Sequence, residues 1–251
     1  MKEYPAMLRL EGKRCLVVGG GAVAERKIAS LLEAGALVTV ISPAATAAVE
    51  KWAEAGRITW HCRRYGEADH GYTKDKEGSD KGRPGTEASF YPDLSPYLIV
   101  FAATDNPQVN ERVLTDADAA GKLVSSADNP DSGSLIVPAA VRRGKLTLAV
   151  STSGASPALS AKIGRELQER YGPEYEIYLD FLAELRELAR SRVGDMPLRH
   201  ELLRRLPNWR VLDRIDAGTY EAWRATLLNR LQAAQDSEEI FAAVWMEADQ
   251  Q

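Results

Sequence analysis

A glycine-rich turn, set between an apolar run and an amphipathic stretch and followed by a second apolar run, limits the folds open to this chain. The stretch is "CLVVGGGAVAERKIASLLEAGALVTVISP", residues 15–43. "RCLVVGG" predicts a buried strand, and residues 22–34 predict a helix with Val23, Ala24, Ile28, Leu31 and Leu32 on its apolar side. Gly35 is placed to end that helix in a left-handed cap. "ALVTVIS" predicts a second strand, "AATAAVEKWAEAG" a second helix and "RITWHCR" a third strand. A βαβαβ order of this kind implies a parallel sheet with helices on both faces.

Within the turn, Gly19, Gly21 and Ala24 fit G-x-G-x-x-A. The first glycine permits the tight turn, the second lets backbone approach a pyrophosphate, and the small third residue lets helix and strand pack closely. The helix N-terminus then offers N–H groups and partial positive charge to phosphate. The pattern alone is weak, because a glycine turn also serves packing. Its place between a strand and a helix, at the start of a βαβ unit, is the context that makes it a dinucleotide site. An acidic residue about 20 positions on normally holds the ribose hydroxyls. Here the second strand ends in Ser42-Pro43-Ala44-Ala45, with no acid for NAD and no base for a 2′-phosphate, so the residues leave NAD and NADP open.

Residues 66–96 are rich in Gly, Pro and charge with few apolar positions, and predict a mobile surface loop. The sheet resumes with "YLIVFAATD", and a helix runs from Pro107 to Ala120 with Asn106 as its cap and Gly121 after its end. "KLVSSAD", "GSLIVPAAV" and "KLTLAVSTS" predict three further extended segments. From Ser156-Pro157, a helix-start pair, the pattern turns helical, with Leu159, Ile163 and Leu167 at i+4 spacing. "EYEIYLDFLAELRELAR" continues it with Ile177, Leu179, Phe181, Leu182, Leu185 and Leu188, and two or three more helices follow. The expected class is α/β: a Rossmann-type parallel sheet over residues 1–137, a short β-rich connector over 138–168 and a helical domain over 169–251.

The net charge of -4 argues against general affinity for nucleic acid, which needs a concentrated basic surface. No apolar run reaches the roughly 20 residues that cross a bilayer, and the start "MKEYPAMLRLEGKR" lacks the apolar core of a secretory signal. Cys15 and Cys62 stand in no metal-ligand or redox spacing, and Cys15 reads as packing in a buried strand. His61, His70 and His200 show no spacing that would bind a metal and are read as non-catalytic. A cytoplasmic protein with no membrane and no nucleic-acid partner is expected.

Four separated motifs, in order, carry a resemblance: "CLVVGGGAVAERK", "FAATDNPQVNERV", "SSADNPDSGSLIVPAAVRRG" and "LAVSTSGASPALSAKIGREL". Over about residues 3 to 190 the chain resembles the precorrin-2 dehydrogenase family, the N-terminal module of siroheme synthase and its free-standing relatives. The resemblance implies NAD-dependent oxidation of precorrin-2 to sirohydrochlorin, with ferrous iron insertion as a further activity of some members. It implies a connector that exchanges strands to build a homodimer, and a helical domain beside the active-site cleft. It also implies that Ala22 and Val23 contact the cofactor, and that the adenosine half is gripped by backbone near Pro43 and Ala44, next to Ser42. A long charged insertion such as 66–96 departs from the family's pattern, as does Ser125, where relatives often carry Asn. The methyltransferase of the larger siroheme synthases has no counterpart in these residues.

The resemblance places the family's key acid at Asp128 in "SSADNP", where a carboxylate ending a strand is suited to take the proton lost in dehydrogenation. By spacing alone Asp128 reads as the start of the turn "DNPDSG". Asp105, which also ends a strand, reads as shaping the turn before Pro107, and Ala103 and Thr104 read as lining the cofactor. "STSGASP" matches the family's tetrapyrrole segment, with Thr152 replacing a serine and Ser153 beside it. Precorrin-2 is a polycarboxylate, so Arg142, Arg143 and Lys145, with Lys162 and Arg165, are candidate cations for it. Each equally suits a solvated surface, and Ser156 suits a helix cap better than a ligand. Two other readings compete: a non-catalytic NAD-sensing module, which has no need of Asp128 or "STSGASP", and a different Rossmann dehydrogenase, against which the scarcity of catalytic His or Tyr–Lys pairs counts.

Overall fold

The computed structural model describes residues 3–66, 92–129, 132–240 and 242–243. They divide into two compact units, the first ending at Val137 and the second beginning at Pro138. Residues 67–91, most of the loop expected at 66–96 and including His70, lie outside the described residues.

In the first unit, β1 (Arg14–Val18), β2 (Leu37–Ile41), β3 (Ile58–His61), β4 (Ile99–Ala102) and β5 (Leu123–Ser126) form one parallel sheet in the order β3-β2-β1-β4-β5. Successive side chains of a strand point to opposite faces. Cys15 and Val17 of β1 accordingly join one core with Ala24 and Ile28 of α1 (Ala22–Glu33) and Val49 of α2 (Ala47–Glu54). Leu16 and Val18 join the other with Val113 and Ala117 of α3 (Pro107–Ala119). Both faces are covered, which is why β1 and β4 read as unbroken apolar runs rather than alternating ones. Burial pushes the Cys15 thiol up to about 11, so it stays protonated and serves as packing.

The sheet order reverses at β1, which pairs with β2 on one side and β4 on the other. In folds of this kind the crevice outside the carboxyl ends of the strands at such a reversal receives the ligand. The helices that border it start where their sequences say. Asn106 Oδ1 accepts from the N–H groups of Gln108 and Val109 at 3.0 and 3.3 Å, with Pro107 in the first helical position. A cap of this type is worth about 1 kcal/mol.

The second unit opens with an antiparallel hairpin, β6 (Ala139–Arg143) and β7 (Leu146–Val150), turned at Gly144 with φ +51°. Helices α4 (Pro157–Arg170), α5 (Glu174–Arg192), α6 (Met196–Arg205), α7 (Val211–Asp216) and α8 (Tyr220–Ala233) follow. Their core gathers Phe181, Leu185, Leu202, Val211, Leu227 and Leu231. The Phe181 ring lies 5.2 Å from that of Trp223, whose face carries the Arg214 guanidinium at 4.9 Å.

Three expectations change. The extended segment "GSLIVPAAV", expected from Gly133, becomes a strand only at Ala139. Before it the chain runs irregularly beside β5, with Leu135 N–H bonded to Val124 O and Val124 N–H to Ser134 Oγ, both at 3.0 Å; Pro138 has no N–H to extend a ladder. Val23, expected on the buried side of α1, is 39% exposed, because the face turned to the sheet is that of Ala24, Ile28 and Leu31. In the second unit Leu159 and Ile177 are exposed, since α4 buries Ser160 and α5 buries Tyr178, Phe181, Leu185 and Ala189.

Candidate functional site

The turn after β1 uses its three glycines in three different ways. Gly19 has φ +122°, and a Cβ on it would lie 2.2 Å from Ala103 O and 3.1 Å from Thr104 N. Only glycine lets the ends of β1 and β4 approach this closely. Gly20, which the motif leaves as any residue, is as tightly held: a Cβ would lie 2.2 Å from Ala44 O, and its own carbonyl accepts from Thr46 N–H at 2.9 Å. Gly21 is different. Its φ of −80° suits any residue, and a Cβ there would meet nothing within 4 Å. No neighbour among the described residues requires glycine at that point.

Gly21 caps α1 without a side chain, so the first-turn N–H groups, those of Ala22, Val23 and Ala24, have no side-chain cap. Ala24 is fully buried against the sheet, the close packing that a larger residue would prevent. An open, uncapped helix start over a glycine backbone fits the pyrophosphate of a dinucleotide, which takes N–H donors and the positive end of the helix.

At the far end of the crevice the second strand hands over to Ser42-Pro43-Ala44. Ser42 is buried and its Oγ donates to Ala44 O at 2.6 Å, while its carbonyl accepts from Trp60 Nε1 at 3.0 Å. The Ser42 hydroxyl therefore shapes the loop, and what the loop presents is the exposed surface of Pro43 and Ala44. His61 ends β3 nearby; burial, then the charge of Arg63, pushes its pKa down.

On the other side of β1, the ends of β4 and β5 lie together, Ala102 pairing with Ser126. Ala103 is buried and anchored by its N–H to Val18 O at 2.8 Å. Asp105 stands exposed in the turn toward α3. Asp128 is also exposed at the end of β5, and its carboxylate is held below its ordinary pKa, first of all by the hydrogen bond from Ser126 Oγ. It is an ionised acceptor throughout the neutral range. Asn110, almost fully buried on α3, was not singled out by its sequence context, since an Asn one turn into a helix carries no pattern of its own.

In the second unit several of the expected contacts for an acidic substrate are engaged within the chain itself. Thr152 Oγ1 lies 3.1 Å from Ser156 O and 3.0 Å from Ser160 Oγ and accepts from Ser156 N–H at 3.2 Å, so its hydroxyl braces the start of α4. Ser156 caps that helix through Leu159 N–H at 3.2 Å. Ser153 takes φ +51° ahead of Gly154 at +79°, a turn that puts its N–H on Ser151 Oγ at 3.1 Å. Arg143 spends Nε on Tyr171 O at 3.1 Å, Nη1 on Arg142 O at 2.9 Å and Nη2 on Gln168 O at 3.2 Å. It closes the C-terminal end of α4, where a cation also meets the negative end of the helix. Arg142 is exposed on β6; Lys145 pairs with Asp180, and Lys162 lies 3.9 Å from Glu166 on the exposed face of α4.

Two family models match, one described as "Putative NAD(P)-binding" over residues 6–139 and one as "Sirohaem biosynthesis protein central" over residues 143–170. The chain is 32% identical to precorrin-2 dehydrogenase of Priestia megaterium, over 80% of this chain and 87% of that one. It is also 32% identical to siroheme synthase of Nitrosococcus oceani, over 88% of this chain but only 42% of that longer protein. Among solved structures, SirC, a precorrin-2 dehydrogenase, superimposes with a TM-score of 0.66 at 29% identity, covering 92% of this chain and all of that one. No helix among the described residues is long and apolar enough to cross a membrane. With a dinucleotide cradle of the expected geometry at its N-terminal sheet and relatives aligned along most of its length, the chain belongs to the precorrin-2 dehydrogenase family.

Proposed function

We propose that the protein oxidises precorrin-2 to sirohydrochlorin with NAD, and that Asp128 accepts the proton lost in the reaction. The observation that carries the assignment to Asp128 is an ionised carboxylate at the carboxyl edge of the sheet, on the strand beside β4 and its Ala103–Thr104 loop, which packs directly against Gly19. The bound nicotinamide supplies the hydride acceptor. One hydride and one proton leave the macrocycle, and the proton passes to Asp128, whose exposure lets it go on to solvent. Gly21 and the first turn of α1 hold the diphosphate, and Ser42-Pro43-Ala44 hold the adenosine half. The choice of NAD over NADP rests on the family resemblance, since residues 42–45 carry neither an acid for the ribose hydroxyls nor a base for a 2′-phosphate.

Arg142 and Ser153 are proposed as direct contacts of the substrate's carboxylates, with Thr152 and Arg143 acting through the turns they brace. We assign residues 138–168 to a dimerisation connector and 169–251 to the helical domain, in a cytoplasmic homodimer. The exposed apolar side chain of Leu159 supports a covered surface there. Ferrous iron is a proposed second substrate, with Asp128 taking pyrrole protons. The alternative of a non-catalytic NAD-sensing module is disfavoured, because the relatedness runs through the central sirohaem region as well as the sheet.

Anaerobic incubation of the protein with precorrin-2 and NAD, followed by absorbance, tests the reading. Sirohydrochlorin should form with NAD faster than with NADP. A folded, NAD-binding sample that forms none would sink it. Adding Fe²⁺ or Co²⁺ to sirohydrochlorin tests chelation separately.

A further inference from the structure

The two loops that flank the glycine turn are held in different ways. After β2, the hydroxyl of Ser42 donates to Ala44 O, and Trp60 Nε1 donates to Ser42 O. After β4, the chain bonds to β1 through Ala103 N–H and Val18 O at 2.8 Å and then leaves the sheet. There one side chain takes over. Asn110, 1% exposed on α3, accepts at Oδ1 from Thr104 N–H at 3.1 Å and from Thr104 Oγ1 at 2.7 Å. Its Nδ2 donates to Thr104 O at 3.1 Å. Both backbone groups of Thr104 are thus met by a single primary amide, as a neighbouring strand would meet them. The Thr104 hydroxyl is engaged too, since it also accepts from Asn106 N–H at 3.2 Å. What the loop turns to the crevice is therefore backbone, and Thr104 N lies 3.1 Å from where a Cβ on Gly19 would stand.

We propose that Asn110 is a positioning residue for the cofactor: by clamping Thr104 it fixes the loop after β4, against which the nicotinamide half of the dinucleotide lies. This rests on the reading of the turn after β1 as the dinucleotide site. β2 and β4 flank β1 on opposite sides. With the diphosphate over the start of α1 and the adenosine half at Ser42-Pro43-Ala44, the remaining half of the cofactor extends over the end of β4. A loop that had to be ordered as the cofactor arrived would cost affinity. Asn110 does that ordering beforehand, from a helix whose start is already fixed by its Asn106 cap. The clamp therefore serves the nicotinamide half and leaves the adenosine half to the loop after β2.

The test is calorimetric binding of NAD and of ADP to the whole chain, wild type and Asn110→Ala. ADP carries the adenosine and the diphosphate but no nicotinamide. Asn110→Ala is expected to weaken NAD about tenfold, as for one lost ordering contact, and to bind ADP as the wild type does. A purely structural role would move both ligands or neither, and either result overturns the inference. Should Asn110→Ala fail to fold, amide NMR of the wild type decides. Thr104 N–H should exchange slowly in the free protein, and its resonance should shift with NAD but not with ADP. A Thr104 amide that exchanges freely, or that responds to both nucleotides alike, overturns the inference as well. A wild type that binds NAD yet forms no sirohydrochlorin fails the functional reading and leaves the clamp result standing. One that binds no NAD overturns both.

Discussion

Gly19 packs so closely on Ala103 that a methyl group on its α-carbon would lie 2.2 Å from the Ala103 carbonyl oxygen, whereas two residues on, at Gly21, the same methyl would touch nothing within 4 Å. The contrast separates a glycine required by the fold from one required by a ligand. Gly19→Ala should lower unfolding free energy by about 2–4 kcal/mol, from overpacking and from a side chain forced to positive φ. Gly21→Ala should leave stability within about 0.5 kcal/mol and weaken NAD binding by tenfold or more. Denaturant unfolding and a calorimetric titration read both quantities. Unchanged NAD affinity in Gly21→Ala would falsify the placement of the pyrophosphate over the start of α1.

Asp128→Ala should lower kcat by about a hundredfold to ten-thousandfold, the usual range for a lost general base, while Asp105→Ala keeps most of it. Steady-state kinetics on the two variants decides between the strand-ending acids. Loss confined to the Asp105 variant would reverse the assignment.

The pH dependence follows from the same carboxylate. Its folded pKa lies below the ordinary value of 3.8, first of all because Ser126 Oγ donates to it. A depressed carboxylate stabilises the fold above its unfolded pKa and loses that contribution only as pH falls through the lower folded value. Between about pH 5 and about pH 8 neither kcat nor thermal stability should change through Asp128. An acid limb in kcat that lies above about pH 5 and vanishes in Asp128→Asn would contradict the hydrogen bonds described.

The sequence made the outline legible where local chemistry and tertiary structure agree. The strand–glycine–helix run from Cys15 to Ile41 and the Asn106-Pro107 start of α3 appear as expected, because periodicity, caps and φ-specific residues are local signals. What stayed hidden is what the folded chain brings together from a distance. Gly20 occupies a free position of its motif, yet the approach of Ala44 is what demands it. Ser42 stands among the residues expected at the adenosine half, but its hydroxyl turns inward to Ala44 O. Leu159 shows the reverse: its spacing marks an apolar stripe and says nothing of what covers it.

Arg142 and Arg143 are adjacent and equally basic, but their surroundings predict opposite phenotypes. Arg143 donates to three backbone carbonyls at the end of α4 and at β6. Arg143→Ala should therefore lower stability by about 1–3 kcal/mol, the cost of leaving such acceptors unmatched, with little change in KM for precorrin-2 beyond that. Arg142→Ala should raise KM for precorrin-2 several-fold. Melting curves with initial-rate kinetics on both proteins read this, and a raised KM in Arg143→Ala alone would exchange their roles.

Leu159, 47% exposed at the third position of α4, bears on the homodimer. An isolated exposed leucine is unremarkable in a monomer. Here it shares its unit with a hairpin whose apolar residues Leu146, Leu148 and Val150 are only half-buried, and the exposed Val137 lies just before that unit. If a second copy covers this surface, Leu159→Asp places a charge in an apolar contact while costing the isolated fold little. Sedimentation should then give twice the chain mass for the wild type and a single chain for Leu159→Asp, with the helix content of the two proteins alike. A wild type that sediments as a single chain at micromolar concentration contradicts the dimer directly. A variant that stays dimeric moves the contact elsewhere on the second unit.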